Sequence, residues 1–143
     1  MKILFIYRNP SMGFSIGKVF KPIEEEMGKY NNVDSIELPC SDYSLKSLWY
    51  NIKAARNAVK KEKYDIVHVN GNSTTMSVEL LAAWIAGIQV RIAHSHNTTA
   101  DHTKINKLLR PIFNLTVNGR VACNIAAGKW LFHQKKFLVI RNG

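Results

Sequence analysis

Apolar and polar positions alternate between two periods along this chain, one that suits buried strands and one that suits amphipathic helices. "KILFIY" (2–7) is a continuous apolar run, as expected of a strand covered on both faces. The turn-rich "NPSMGFS" (9–15) follows it. Residues 16–30 then place Ile16, Val19, Phe20, Ile23 and Met27 at helical spacing, with Pro22 expected to kink that helix or to mark where its regular part begins. "VDSIEL" (33–38) predicts a second strand. Residues 44–62 carry Leu45, Leu48, Trp49, Ile52, Ala55 and Val59 on one predicted buried face, with Asp42 or Ser44 as the cap. A third strand, "YDIVHVN" (64–70), precedes a helix over 73–87 that opens on a Ser/Thr cap and closes at Gly87. The rest reads as strand 89–95, a basic amphipathic helix over 104–119 interrupted by Pro111, strand 120–124, helix 125–132 and strand 136–142.

Strict alternation of strand and helix, without internal repeats, predicts an α/β fold: a single Rossmann-like, doubly wound parallel sheet of about six strands. In such folds ligands bind beyond the C-terminal ends of the strands. Those ends carry "RNPSMG", "HVNGNST" and "HSHNTT", so topology alone brings the three most polar loops to one rim.

Each loop has a functional and a plain reading. In the first, Asn9, Ser11 and Gly13 precede a helix whose N-terminus can hold a phosphate, but the loop is neither G-x-G-x-x-G nor a Walker A sequence, and an ordinary βα turn explains it equally. In the second, Asn70, Gly71, Asn72 and Ser73 suit hydrogen bonding to a sugar or phosphate, and suit a tight turn with a helix cap as well. The third loop holds His94 and His96, which point to one face of a strand. His94 is expected to be buried and satisfied by backbone. His96 is expected at the rim as a hydrogen-bonding group with general-acid capacity, with Asn97 and Thr98 beside it. A metal site would need further ligands. Asp101 and His102 are the candidates, but their spacing is no recognised ligand pattern, and no metal is expected. Glu24, Glu25 and Glu26 read as a solvated helix face away from the rim.

Composition changes the picture in one respect. The chain has 143 residues, enough for one domain with a real core, and 20 Lys and Arg against 10 Asp and Glu give a formal net charge of +10. Such a surface attracts polyanions: nucleic acid, anionic lipid or phosphorylated substrates. The N-terminal apolar run is too short for a signal peptide, and "LLAAWIAGI" (80–88) is too short to span a bilayer, so a cytoplasmic protein is expected. Cys40 and Cys123 form no ligand or redox pattern and read as small buried residues.

"YDIVHVNGN", "VRIAHSHNTT", "ACNIAAGKWLF" and "KFLVIRNG", in this order, resemble the N-terminal half of family 4 glycosyltransferases, and most closely bacterial members that build capsular or exopolysaccharide and lipid-linked glycans. The resemblance is strongest from Tyr64 to Gly143. The opening segment resembles another branch, with "PSMG" where many members have a GG pair. It implies a retaining GT-B enzyme in which residues 1–143 form the acceptor-side domain and His96 sits by the reacting sugar as the catalytic contact. A nucleotide sugar is then the donor, without a cofactor. The resemblance also implies a second, donor-binding domain carrying an E-x7-E pair, which these residues do not include. The chain alone is therefore expected to be inactive, as a truncated product, a fragment, or one chain of a split enzyme with a donor-domain partner. The expected partners are a glycan or lipid-linked sugar acceptor and, through "KINKLLRPIF" (104–113), the inner face of the plasma membrane. A domain helix with its basic face in water is the simpler reading of that segment. Nucleic acid is not expected, since no RNA-binding aromatic pattern is present. A non-catalytic basic Rossmann-like module that binds a nucleotide, glycan or nucleic acid is the rival class.

Overall fold

A computed structural model describes residues 1–9, 16–39, 45–99 and 103–141. Six parallel strands form one sheet in the order β2-β1-β3-β4-β5-β6: β1 (Lys2–Asn9), β2 (Asn32–Pro39), β3 (Ile66–Gly71), β4 (Val90–Ser95), β5 (Gly119–Ala122) and β6 (Leu138–Val139). The helices are α1 (Ile16–Gly28), α2 (Leu45–Lys61), α3 (Ser77–Ile85), α4 (Thr103–Thr116) and α5 (Ile125–Phe132), with a 3-10 turn over Thr74–Met76 ahead of α3. The predicted α/β class, the parallel sheet and all eleven predicted elements are present.

Right-handed crossovers fix where the helices go. The chain moves one way along the sheet from β1 to β2 and the other way from β2 onward. This puts α1 on one face and the other four helices on the opposite face. Two clusters reflect that division. Leu4, Ile6, Val67, Val69, Ala93 and Ala122 meet Ala55 and Val59 of α2, Leu80 and Ala83 of α3, Phe113 of α4 and Leu131 of α5. On the other face Ile3, Phe5 and Tyr7 meet Met27 of α1.

Local chemistry sets several boundaries. Ser73 caps the 3-10 turn, its Oγ accepting from Thr75 N. Asn124 caps α5, its Oδ1 accepting from Ala127 N at 2.8 Å. Gly87, at φ +83°, ends the α3 segment as predicted, because only glycine takes that conformation without strain. Pro22 and Pro111 lie inside α1 and α4 rather than ending them.

Two expectations are corrected. Trp49 does not belong to the buried face of α2. It is 69% exposed, and the face that packs runs through Asn51, Ala55 and Val59, which turns residue 49 outward. Glu24 is not a solvated acid, since the Tyr7 hydroxyl donates to its carboxylate. The proposed caps Asp42 and Ser44, and Cys40, lie outside the described residues. Cys123 is a buried free thiol.

Candidate functional site

The sheet order reverses at the β1/β3 boundary, and beyond the strand ends at such a point lies the ligand crevice of a doubly wound fold. The polar residues collect beside it. In-register pairing aligns Tyr7, Asn70 and His94 in one row across β1, β3 and β4. Residues in one row share a face, so the row stands on the face that carries only α1.

Asn70 is the hub. It is 0% exposed, yet polar, and the His96 Nε2–H donates to its Oδ1 at 3.1 Å. An amide oxygen only accepts, so the proton of the neutral His96 ring sits on Nε2 and Nδ1 is the basic nitrogen. His94 is buried, as expected, and another imidazole is among its partners: its Nδ1 lies 3.3 Å from His68 Nε2. The His94 ring is 4.2 Å, centroid to centroid, from that of His96, and the His68 ring is 4.9 Å from that of Phe5. Three imidazoles therefore run from the hydrophobic sheet face to the rim.

Burial holds all three neutral. Desolvation lowers the pKa of His68 and His96 to about 4, with His96 adding repulsion at His68. His94 lies lower still, from desolvation first and then from repulsion by His96 and His68. At neutral pH the array offers hydrogen-bond donors and acceptors and no positive charge.

The end of β4 is fixed by its neighbours. Cys123 N donates to Ser95 O at 2.9 Å, and the Cys123 thiol to His96 O at 3.3 Å. The Ser95 hydroxyl contacts Ala127 O and Asn97 O. Asn97 and Thr98 follow in the open, both exposed. On the β3 side Gly71 is buried, and a Cβ there would come to 3.0 Å from Met76 Cγ. Ser73 is engaged in capping, and its Oγ also pairs with Thr75 Oγ1 at 2.7 Å. Among the described residues, Asn70 Nδ2 and Asn72 Oδ1 are buried without a hydrogen-bond partner, one spare donor and one spare acceptor on the same loop.

Asn9 ends β1 opposite Pro39 of β2. Ser11, Gly13, Asp101 and His102 lie outside the described residues. Among the described residues no group of three or more His, Cys, Asp or Glu is arranged to hold a metal ion. His68 escaped the sequence reading because it sits in an apolar strand. The available signal was the pairing of H-x-N at 68–70 with H-x-H at 94–96, both at the two-residue period of one sheet face.

A groove of about 480 Å³ lies far from this rim, between α2 and β2. It is lined by Asp34, Lys61, Glu62 and Tyr64, among others. Its acids are already engaged: Lys2 Nζ pairs with Glu62 and lies 3.8 Å from Asp34, and the Tyr64 hydroxyl donates to Asp34.

No protein-family model matches the chain, and no curated protein sequence matches it. Solved structures do. The UDP-GlcNAc 2-epimerase of Methanocaldococcus jannaschii superposes with a TM-score of 0.67 at 15% identity, over 94% of this chain and 42% of that one. An MnaA–UDP complex from S. aureus gives 0.67 at 15%, over 95% and 42%. MurG of Acinetobacter baumannii gives 0.58 at 14%, over 100% and 46%. The chain thus spans less than half the length of these proteins. At such identities the likeness shows the fold alone: a Rossmann-like α/β domain shared with these proteins.

Proposed function

We propose that this chain is the acceptor-side domain of a nucleotide-sugar-dependent GT-B glycosyltransferase of the family 4 type, acting with retention in polysaccharide or glycolipid synthesis. The observation that carries the reading is the His96–Asn70 pair at the topological switch point. Its buried amide keeps a donor unspent among the described residues, and its imidazole is neutral. Spare, uncharged donors and acceptors suit sugar hydroxyls better than they suit a phosphate, which a cation would hold. The resemblance of the quoted segments to that family supports the reading. So does the fold shared with a UDP-GlcNAc 2-epimerase and with MnaA in complex with UDP.

In this reading His96 contacts the acceptor or the reacting sugar through a hydrogen bond, and Asn70 holds its ring and tautomer. His94, Asn97 and Thr98 surround that contact. The 70–73 loop lines the cleft toward a donor-binding domain, which supplies the nucleotide-sugar site from the same polypeptide or from a partner chain.

The test uses the enzyme assembled with its donor domain. His96→Ala is expected to lower sugar transfer by about a hundredfold, with the fold retained. Unchanged transfer would remove His96 from the mechanism. Binding of the chain to nucleic acid that falls steeply with salt, without affinity for a lipid-linked sugar, would instead favour the non-catalytic module.

A further inference from the structure

α2 turns two aromatic rings and a row of cations to solvent on one face. At about 3.6 residues per turn, Lys46, Trp49, Tyr50, Lys53, Arg56 and Lys60 fall within about 120° of the helix circumference, opposite the packed positions Asn51, Ala55 and Val59. All six are exposed, Trp49 by 69% and Tyr50 by 60%. The core therefore uses neither ring, although the apolar spacing places Trp49 there. No acid occurs between Asp42 and Glu62. A solvated helix face ordinarily pairs opposite charges three or four residues apart. Here Lys53–Arg56 and Arg56–Lys60 set like charges at those spacings, which weakens the helix. Among the described residues none of the four cations forms an ion pair.

A partner must be anionic along its length and must carry flat faces that stack. The four cations are spread over about 21 Å of helix, and the two rings fill the gap between Lys46 and Lys53. Charge at that density suits a polymer with one anionic group on every unit. A polysaccharide charged once per repeat of several sugars matches the rings and not the spacing. A bilayer takes aliphatic side chains into its acyl boundary, and the only large apolar groups α2 exposes are these two rings. Nor, among the described residues, is any helix long and apolar enough to cross a membrane. A second copy would bring cations against cations on a chain of net charge +10. Single-stranded nucleic acid has a phosphate on every nucleotide and bases open to stacking, which a duplex hides. We propose that the outer face of α2 binds single-stranded nucleic acid, with Trp49 and Tyr50 stacked on bases and Lys46, Lys53, Arg56 and Lys60 paired with phosphates. The sequence holds no RNA-binding aromatic strand pattern, and a helix face of this kind does not use one. α2 lies across the sheet from the row of Tyr7, Asn70 and His94, so this inference stands or falls independently of the sugar-transfer reading.

The test is fluorescence anisotropy of a labelled twelve-nucleotide oligo(dT) titrated with the full 143-residue chain. Binding is expected, with log K falling against log salt at a slope of about −3 for four phosphate contacts. Lys53→Ala should reduce that slope by about 0.7. Trp49→Ala should weaken binding by about tenfold or more, whereas Trp49→Phe, which keeps a stacking ring, should stay within about threefold of the parent. The substituted side chains are exposed, so thermal melts should be unchanged. As a second readout, the oligonucleotide should quench tryptophan fluorescence in the parent, which has three tryptophans, and much less in Trp49→Ala. Unlabelled duplex, polygalacturonate and phosphatidylglycerol vesicles, each at equal anionic charge, should displace the probe less well than the unlabelled strand. No binding, equal binding by Trp49→Ala, or no quench would each overturn the proposal. A competitor that matches the unlabelled strand would also overturn it, by assigning the face to that polymer or surface. Trp49→Ala should leave sugar transfer by the assembled enzyme unchanged, so the two readings fail separately.

Discussion

The three imidazoles make the residue scale measurable. Each has a lowered pKa in the folded chain, about 4 for His68 and His96, against about 6.5 in the unfolded chain. Above pH 6.5 both states are unprotonated and the full stability is present. As pH falls from 6.5 toward 4 the unfolded chain takes up protons that the folded chain refuses, so stability is lost across that window. The slope is about 1.4 kcal/mol per pH unit for each imidazole that titrates in only one state. Urea midpoints should therefore drop between pH 7 and pH 5, and His68→Leu should flatten the drop. A pH-independent midpoint would mean that the rings are not packed as described. Gly128 makes the second residue-scale case. A Cβ there would stand 2.1 Å from Phe137 Cε2, so the ring must swing away from Phe132. Alanine gains about 1 kcal/mol of helix propensity, and overpacking costs about 1–3 kcal/mol with the lost ring contact added. Gly128→Ala should therefore destabilise by about 1–2 kcal/mol in urea unfolding. Gly28→Ala, with open space around the new Cβ, should be neutral or mildly stabilising.

At the scale of elements, one side chain ties the rim to the helix layer. Asn106 of α4 accepts from Thr74 N at 2.8 Å and from Thr74 Oγ1 at 2.7 Å through its Oδ1, while its backbone oxygen also takes the Thr74 hydroxyl. Both residues are buried, so Asn106→Ala leaves a donor unpaired. It should cost about 1–3 kcal/mol, seen as a lower urea midpoint, and should speed amide exchange at 74–76 first. The sequence made the elements legible and not this link. Period-2 and period-3.6 patterns depend on nearest neighbours along the chain, which is why β1, β3, α3 and α5 could be placed within a few residues. Asn106 pairs with a residue 32 positions away, and nothing local marks it. The same distinction explains Trp49, which stands at the margin of the predicted stripe and turns outward while Ala55 and Val59 are buried, because periodicity fixes a stripe only to within its own width. Of the site, His96 and Asn70 were legible because each ends a strand at the rim. Their mutual hydrogen bond, and the burial of His68 behind them, depend on the β3–β4 register, which the sequence does not state.

At the scale of the whole molecule, one topological fact explains both the position of the rim and the one weakness of the fold. A single reversal in strand order sends α2, α3, α4 and α5 to one face and leaves α1 to cover the other. α1 packs over β1 through Met27 against Ile3, Phe5 and Tyr7. The far half of that face belongs to β4, β5 and β6, and no described helix lies on it. Leu138 is in register with Val121, and Val121 with His94, so its side chain stands on this open half, and it is exposed, as is Val90. Exposed apolar side chains on a sheet face promote self-association when nothing covers them. The net charge opposes that tendency through long-range repulsion, which 0.1 M salt screens beyond about 10 Å. The isolated chain should therefore sediment as a monomer at low ionic strength and associate as salt is raised. Leu138→Lys should suppress that association while changing stability by less than about 0.5 kcal/mol, because the side chain takes no part in the core. Sedimentation velocity across a salt series separates the outcomes. Association that the substitution abolishes assigns the contact to the open sheet face, and association it leaves untouched assigns it elsewhere on the molecule.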